Sequence, residues 1–564
     1  MSGRVGAPVS ASVRARGNRP AVALLLGAAA IALVVLAVFF AWPVTNMVAR
    51  GFITDGALDL SGFAEVFSSR RTWRIIGYTL ANGILGTAFA VALAIPGAYV
   101  LYRCSFPGQR ILRGVVTVPF VLPTVVVGVA FRSLLIETGP LGFLGLDGTY
   151  TAIVLALVFF NYSVVVRSVG GMWARLDPRA TEAAASLGAS PARRFVTVTL
   201  PQLTPAIASS SSVVFLFCAT AYGVVLVLGG TRFGTIETEI WLQTTQFLNL
   251  RAAAVLSVVQ LAVVAAALWV AGRARKSRER ALQLRARVDR PLNLRRDAIP
   301  VAVTAAVVLG LLAAPMLSLL VRSFRTPQGW GLANYVNLGT TGGRNALTVT
   351  VWEALGNSLR VAALATLIAV ALGAMVAVVL SQRPRNPVAA RGVGLFDAVF
   401  MLPLGVSAVT VGFGFLITLN RPPLDLRSSM ILIPIAQAIV ALPLVVRTVL
   451  PVLRAIDPRQ REAAAMLGAS PLRAWGTVDV PPLMRSLGLA VGFAFAVSLG
   501  EFGATSFLAR PDSPTLPVVI FRLIGRPGAE NFGMALAACV VLAVLTATVM
   551  VVAERLRTND GGEW

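Results

Sequence analysis

The chain has 564 residues, of which 57% are hydrophobic and 13% charged, with a formal net charge of +25. Soluble chains carry about 25% charged residues, so this one has too little charge to clothe the several domains its length would form in water. Three cysteines, Cys104, Cys218 and Cys539, exclude a disulfide scaffold, and the composition excludes disordered and collagen-like chains.

Crossing a bilayer core takes about 20 mostly apolar residues per helix. Twelve stretches meet that length, at 20–42, 73–101, 112–136, 150–172, 204–229, 250–271, 298–321, 356–381, 394–419, 429–450, 486–508 and 531–553. The first is too long for a secretory signal and lacks a clear small-residue cleavage site. Basic residues cluster at the N-terminus (Arg4, Arg14, Arg16, Arg19), after the second stretch (Arg103, Arg110, Arg113), between the sixth and seventh, and in the tail (Arg555, Arg557). The densest run has ten basic residues from Arg273 to Arg296 against Glu279 and Asp289. Positive charge marks cytoplasmic loops, and these alternate as twelve crossings with both termini inside. The charge is therefore a topology signal, and no nucleic-acid partner is expected. The expected outer loops are too short to fold as a solute-capturing domain, so capture falls to a separate protein.

There is no histidine, which removes His-ligated metal sites and His general bases. Lys276 is the sole lysine among 49 basic residues, and Gly272-Arg273-Ala274-Arg275-Lys276 is not a phosphate-binding loop. No metal, cofactor or catalytic residue is expected on this chain, and a membrane enzyme is disfavoured. Any ATP and Mg²⁺ chemistry belongs to another subunit.

The chain repeats itself at an offset of 280. Asp177-Pro178-Arg179-x-x-Glu182-Ala183-Ala184-Ala185-x-Leu187-Gly188-Ala189-Ser190-Pro191 recurs from Asp457 to Pro471, and 17 of the 27 positions in 177–203 match their partners. Further landmarks at this offset are Arg167 with Arg447, Leu122-Pro123 with Leu402-Pro403, Gly223 with Gly503, and Thr235 with Thr515. Ala90-Val91-Ala92-Leu93 meets Ala369-Val370-Ala371-Leu372 at 279. The expected fold is an all-α polytopic membrane protein of about 12 transmembrane helices, built as two parallel six-helix repeats with a path at their interface. The domains are an N-terminal tail (1–19), a first half (20–271) containing loop 176–203, a basic linker (272–297), a second half (298–553) containing loop 456–483, and a cytoplasmic tail (554–564).

The best-matched segment is a loop, not a span. Lipid-facing packing does not demand a fixed loop pattern, whereas a partner docking on both halves does. Asp177 suits a helix cap and Pro178 a first turn, Gly188 a helix end, and Ser190-Pro191 a second start. The second short helix is expected to stop at Pro201. Glu182-Ala183-Ala184, then Gly188, then Val198-Thr199-Leu200-Pro201 resembles the signature of permease subunits of binding-protein-dependent ABC importers. The second copy ends Val478-Asp479-Val480-Pro481, with Val for Leu. The resemblance covers the chain except its N-terminal tail and linker. It implies that Glu182, Ala183, Ala184 and Gly188 dock one ATPase subunit, and Glu462, Ala463, Ala464 and Gly468 a second, expected as a homodimer. It also implies an extracytoplasmic solute-binding protein and a place in the bacterial cytoplasmic membrane.

Polar residues within spans are costly and mark function. Glu501 is the main one. Its repeat partner is Ala221, so the acid is asymmetric and is a candidate for the translocation pathway or a gate, with pairing to an arginine as the alternative. Asn161 and Gln437 suit helix–helix hydrogen bonding, and Ser209–Ser212 close packing. Glu237 and Glu239 follow the fifth span, either as a docking segment for the capture protein or as a solvated loop. The fused two-half layout, Ser498-Leu499-Gly500-Glu501-Phe502-Gly503 with Thr515-Leu516-Pro517, and Leu228-Gly229-Gly230 with Thr235-Ile236-Glu237, is similar to the thiamine and ferric-iron branch. An ion-gradient-driven secondary transporter is the competing expectation, and it would need acid or basic relays beyond Glu501.

Overall fold

The computed structural model describes residues 19–54, 56–230, 232–276, 290–382, 386–422, 424–426 and 429–558. The expected N-terminal tail, most of the basic linker and the end of the C-terminal tail lie outside them. The protein is an all-α polytopic membrane protein. Among the described residues the eight strands are two-residue pairings, three in hairpin turns and one joining Cys104–Ser105 in parallel to Arg290–Pro291.

In chain order the first half comprises α1 (Arg19–Leu36), α2 (Trp42–Phe52), α3 (Ser61–Ser68), α4 (Arg70–Arg103), α5 (Gln109–Thr117), α6 (Thr124–Leu135), α7 (Tyr150–Trp173), α8 (Arg179–Ser186), α9 (Pro191–Arg194), α10 (Leu200–Ala219), α11 (Gly223–Gly229), α12 (Ile236–Thr245) and α13 (Leu250–Lys276). The second comprises α14 (Ala298–Ala306), α15 (Ala314–Ser323), α16 (Ala333–Val336), α17 (Val351–Ser381), α18 (Pro387–Met401), α19 (Ala408–Thr418), α20 (Leu432–Ala455), α21 (Pro458–Met466), α22 (Pro471–Ala474), α23 (Val480–Gly500), α24 (Thr505–Leu508), α25 (Leu516–Ile524) and α26 (Ala529–Thr558). The two lists run in the same order. Each half opens with a helix pair joined by a π turn, Ala37–Ala41 in the first and Val307–Ala313 in the second.

Among the described residues, ten helices are long and apolar enough to cross a membrane, or eleven if one bent pair counts as a span. The shortfall from twelve lies in the third and ninth expected spans, which are broken. In the third, Gln109–Val121 meets Thr124–Leu135 at a bend of 106°. Leu122 precedes a proline and adopts extended geometry, which ends the first segment. In the ninth, α18 and α19 are separated by a turn over Leu402–Gly405, and Ser407 caps α19 by accepting the Thr410 N–H at 3.0 Å. The turn Val118–Val121 is the counterpart of Leu402–Gly405, each with proline at its second position. The partner of Pro403 is therefore Pro119, not Pro123 as the 280 offset suggested. The register has slipped by four residues here.

The first helices of each half pack on the other half. Helix α1 lies against α17 and α2 against α19, while α14 lies against α4 and α15 against α6. Ser133 of α6 and Ser318 of α15 share a buried hydrogen bond of 3.1 Å across this contact. Three apolar cores follow from the exchange. One joins both halves, from Met47 and Val125 to Val409 and Leu516. The others belong mainly to one half each and receive Val307–Leu312 and Ala32–Phe40 from the opposite half.

Candidate functional site: the paired loops and the half interface

The two repeated loops fold alike, and the reason is local. Asp177 accepts the Arg179 N–H at 3.0 Å and Asp457 the Arg459 N–H at 2.9 Å, which starts α8 and α21. Both helices then end in the same way. In the first loop Leu187, Gly188 and Ala189 donate to the carbonyls of Ala183, Ala185 and Ala184 at 3.1, 3.0 and 3.0 Å. In the second, Leu467, Gly468 and Ala469 donate to Ala463, Ala465 and Ala464 at the same three distances. This closure needs a left-handed residue, which Gly188 (φ +79°) and Gly468 (φ +83°) supply. Ser190 and Ser470 then cap α9 and α22 through the N–H groups of Arg193 and Arg473, both at 3.3 Å.

What these loops present is unusual for water. Glu182, Ala183 and Gly188 are exposed and Ala184 half-buried, and Glu462, Ala463, Gly468 and Ala464 repeat that pattern. Beside them Leu187 and Leu467 are each 89% exposed, and Met466 is 90% exposed. A leucine thus stands open at the tip of the same helical turn in both loops. The short helices do not stop at Pro201 and Pro481. Each runs through a π turn, Phe195–Thr199 or Trp475–Asp479, straight into the next span. Each loop is therefore continuous with α10 or α23, with no intervening hinge loop. The second loop has a further tie. Arg461 Nε donates to both Asp479 oxygens at 3.0 Å, and its Nη2 also pairs with the carboxylate. Thr181 and Thr199 stand at those places in the first loop, and Thr181 bonds its own Pro178 carbonyl instead.

The second cluster lies where the halves meet. Tyr222 stacks on Phe502 at 5.3 Å and 19°, and Trp241 meets Phe521 edge-on at 5.8 Å. Both pairs are repeat partners at offset 280, so each residue touches its own counterpart, as residues beside a pseudo-twofold axis do. Contacts within each half are duplicated around them. Gly223 packs on Thr124 at the start of α6, and Gly503 on Ala408 at the start of α19. An added Cβ would lie 2.5 Å from the Thr124 hydroxyl and 2.9 Å from the Ala408 methyl, so both approaches require glycine. Ile236 N–H donates to Thr79 at 3.0 Å, and Leu516 N–H to Ser358 at 2.7 Å.

Glu501 lies at this interface, just past the end of α23 and 7% exposed. Its oxygens accept the N–H groups of Ala504 and Thr505 at 2.7 and 3.0 Å and the Thr505 hydroxyl at 2.5 Å. Gln437 donates to the same Thr505 hydroxyl at 3.1 Å. The acid thus fastens the break between α23 and α24, and none of these partners is an arginine. Asn161 bridges α7 and α10, bonding the Leu157 carbonyl at 2.8 Å and reaching Cys218 at 3.4 Å. Glu237 and Glu239 do not lie on a solvated loop. Helix α12 tucks both inward, so they are 0% and 3% exposed. Arg71 pairs with Glu239 at 2.9 Å, and Ser407 donates to Glu237 at 2.9 Å. Their burial follows from the placement of α12 between the halves, which no local pattern announces. Among the described residues, no group of three or more His, Cys, Asp or Glu is placed to hold a metal ion.

Residues 86–276 match the family of binding-protein-dependent transport system inner membrane components. The thiamine transport system permease protein ThiP of Brucella abortus (strain 2308) is 24% identical over 507 residues, covering 86% of this chain and 87% of that one. The family match itself lies within the first half of the chain. ThiP of Escherichia coli (strain K12) is similarly 25% identical over 499 residues, covering 86% of this permease and 90% of its own length. A shorter match, 34% identical over 156 residues, joins 27% of the permease to 52% of a probable sulfate transport system permease protein of Chlorokybus atmophyticus. A chain from a bacterial ABC transporter involved in import of the acidic polysaccharide alginate has a TM-score of 0.40 and 17% identity, over 47% of the permease and 97% of that chain. The permease is a multi-span inner-membrane component of a transport system for a small solute.

Proposed function

We propose that the chain is the complete membrane path of an ATP-driven ABC importer, with both six-helix halves on one polypeptide and both termini cytoplasmic. The observation that supports this most is the duplicated loop. Two surfaces with the same Glu-Ala-Ala…Gly framework, the same hydrogen bonds and the same exposed leucine stand on one chain, as a symmetric pair of partners would require. Those partners are two nucleotide-binding subunits that hydrolyse ATP with Mg²⁺, while this chain performs no catalysis. Covering Leu187 and Leu467 contributes about 2 kcal/mol each toward docking. Glu182 and Glu462 supply the polar contact beside them.

The solute is delivered by a separate binding protein on the outer side. Thiamine is proposed as that solute, because the relatives that match over most of the chain are named thiamine permeases. Ferric iron is the second candidate, from the motif resemblance alone. ATP-driven closure of the two ATPases would press both loops and rock the halves between outward and inward openings. Glu501 is assigned to the gate region, where it sets the shape of the break below Tyr222 and Phe502. The test is co-expression with the nucleotide-binding subunit and the solute-binding protein of a thiamine transport system. A stable complex that takes up labelled thiamine on ATP hydrolysis is the expected result. A complex that forms but carries no thiamine refutes the solute, and uptake that proceeds without any ATPase refutes the importer.

A further inference from the structure

Glu237 is a buried acid that the fold leaves unexplained, and burial pushes its carboxyl well above the usual carboxylate range. It is fully buried on α12. It belongs to the first half, yet its Oε2 accepts a hydrogen bond from Ser407 of the second half at 2.9 Å. Its other polar neighbour is the Gln260 amide on α13. Among the described residues no ion pair involves Glu237, and the nearby Arg71 is taken by Glu239. Buried carboxylates are normally matched by a cation or a full set of donors. Here no cation is paired with the acid, and one of its two polar partners comes from the opposing half of the protein.

Its surroundings favour a positive ligand. Ser407, which holds Glu237, adjoins Ala408, and Gly503 beside Phe502 packs on Ala408, so the acid lies close to the Tyr222–Phe502 pair. Tyr222 stacks on Phe502, and Phe502 lies 5.4 Å from Phe521. Aromatic faces beside a carboxylate bind organic cations, by cation–π attraction and direct charge pairing. Tyr222 and Phe502 are repeat partners in contact, which puts the cluster beside the pseudo-axis where a path between the halves would run. Glu501 is not the acid available, since its own turn occupies both of its oxygens. The repeat partner of Glu237 is Pro517, so the site is single.

We propose that Glu237 is the carboxylate that meets a cationic solute when the halves part, with Tyr222 and Phe502 as the aromatic wall beside it. This rests on the importer assignment above. In the present closed arrangement Ser407 holds the carboxylate. Parting the halves withdraws Ser407 and admits water, so the acid ionises and takes a cation as its partner. A purely structural tie would work as well with glutamine, whose carbonyl accepts the same Ser407 hydrogen bond.

The experiment uses the assembled importer in proteoliposomes, with Ser407→Cys as the reporter. The native Cys104, Cys218 and Cys539 are all buried. The thiol introduced by Ser407→Cys is reacted during ATP turnover with a trimethylammonium and a sulfonate methanethiosulfonate of similar size, each rate normalised to a free thiol. The cationic reagent is expected to react about tenfold faster or more, as a focused negative site requires, and Glu237→Gln is expected to abolish that preference. No labelling in any nucleotide state, no preference, or a preference that survives Glu237→Gln overturns the proposal. In parallel, Glu237→Gln alone is expected to raise the KM for thiamine about tenfold with assembly unchanged, and Glu237→Asp to recover part of it. Wild-type thiamine kinetics in Glu237→Gln overturns the proposal and leaves the importer assignment intact. A cation preference in a wild-type background that carries no thiamine upholds Glu237 and refutes the solute.

Discussion

Gly188 and Gly468 show how one residue type sets the shape of an exposed loop. Nothing lies within 4 Å of a Cβ added at either position, so a substitution there meets no steric clash. The cost is conformational, because the left-handed backbone disfavours a β-branched side chain by about 1–2 kcal/mol. Gly188→Val should therefore weaken ATPase capture in a pull-down while leaving the purified permease folded, and Gly188→Asn should retain most of the binding. Equal loss in both variants would mean that the glycine is needed for contact rather than conformation. These residues were legible in the sequence because caps and closures are local and were written twice. Glu237 was not, since its burial depends on α12 entering the space between the halves. Glu501 was legible as an embedded acid, but its role as a local cap depended on where α23 ends.

At the scale of elements, the second loop is tied where the first is not. Asp479 is buried and Arg461 is partly exposed, so the pair is a partly screened charge-assisted hydrogen bond worth on the order of 1–3 kcal/mol. Asp479→Ala should accelerate proteolysis within the second loop, and Thr199→Ala should leave the first loop's rate nearly unchanged. Equal sensitivity of the two loops would show that the ion pair does not fasten α21. The broken spans lie between legible and illegible. Leu122-Pro123 was visible, yet hydropathy runs through it, so the sequence suggested one span where the backbone turns by 106°. The four-residue register slip was hidden for the same reason, because apolar residues match one another at any offset. The exchange of first helices leaves no sequence signal at all. It predicts that the double variant Ser133→Cys, Ser318→Cys will form an intramolecular disulfide under mild oxidation. After proteolytic cutting of the 277–289 linker, that disulfide should hold the two halves together in denaturing gels. Halves that separate there would contradict the exchanged packing.

Over the whole molecule, the apolar excess becomes two interlocked bundles around a shared core, and the repeated loops become two identical handles on them. The account stands or falls on whether those handles transmit ATP hydrolysis to the path. The most direct measurement is solute uptake by the permease, its ATPase pair and its binding protein in proteoliposomes, comparing wild type with the double variant Glu182→Arg, Glu462→Arg. Uptake in the wild type should require ATP and resist ionophores, and the double variant should lose nearly all of it together with ATPase capture. Uptake that persists without the ATPase subunits and collapses with an ion gradient would contradict the account.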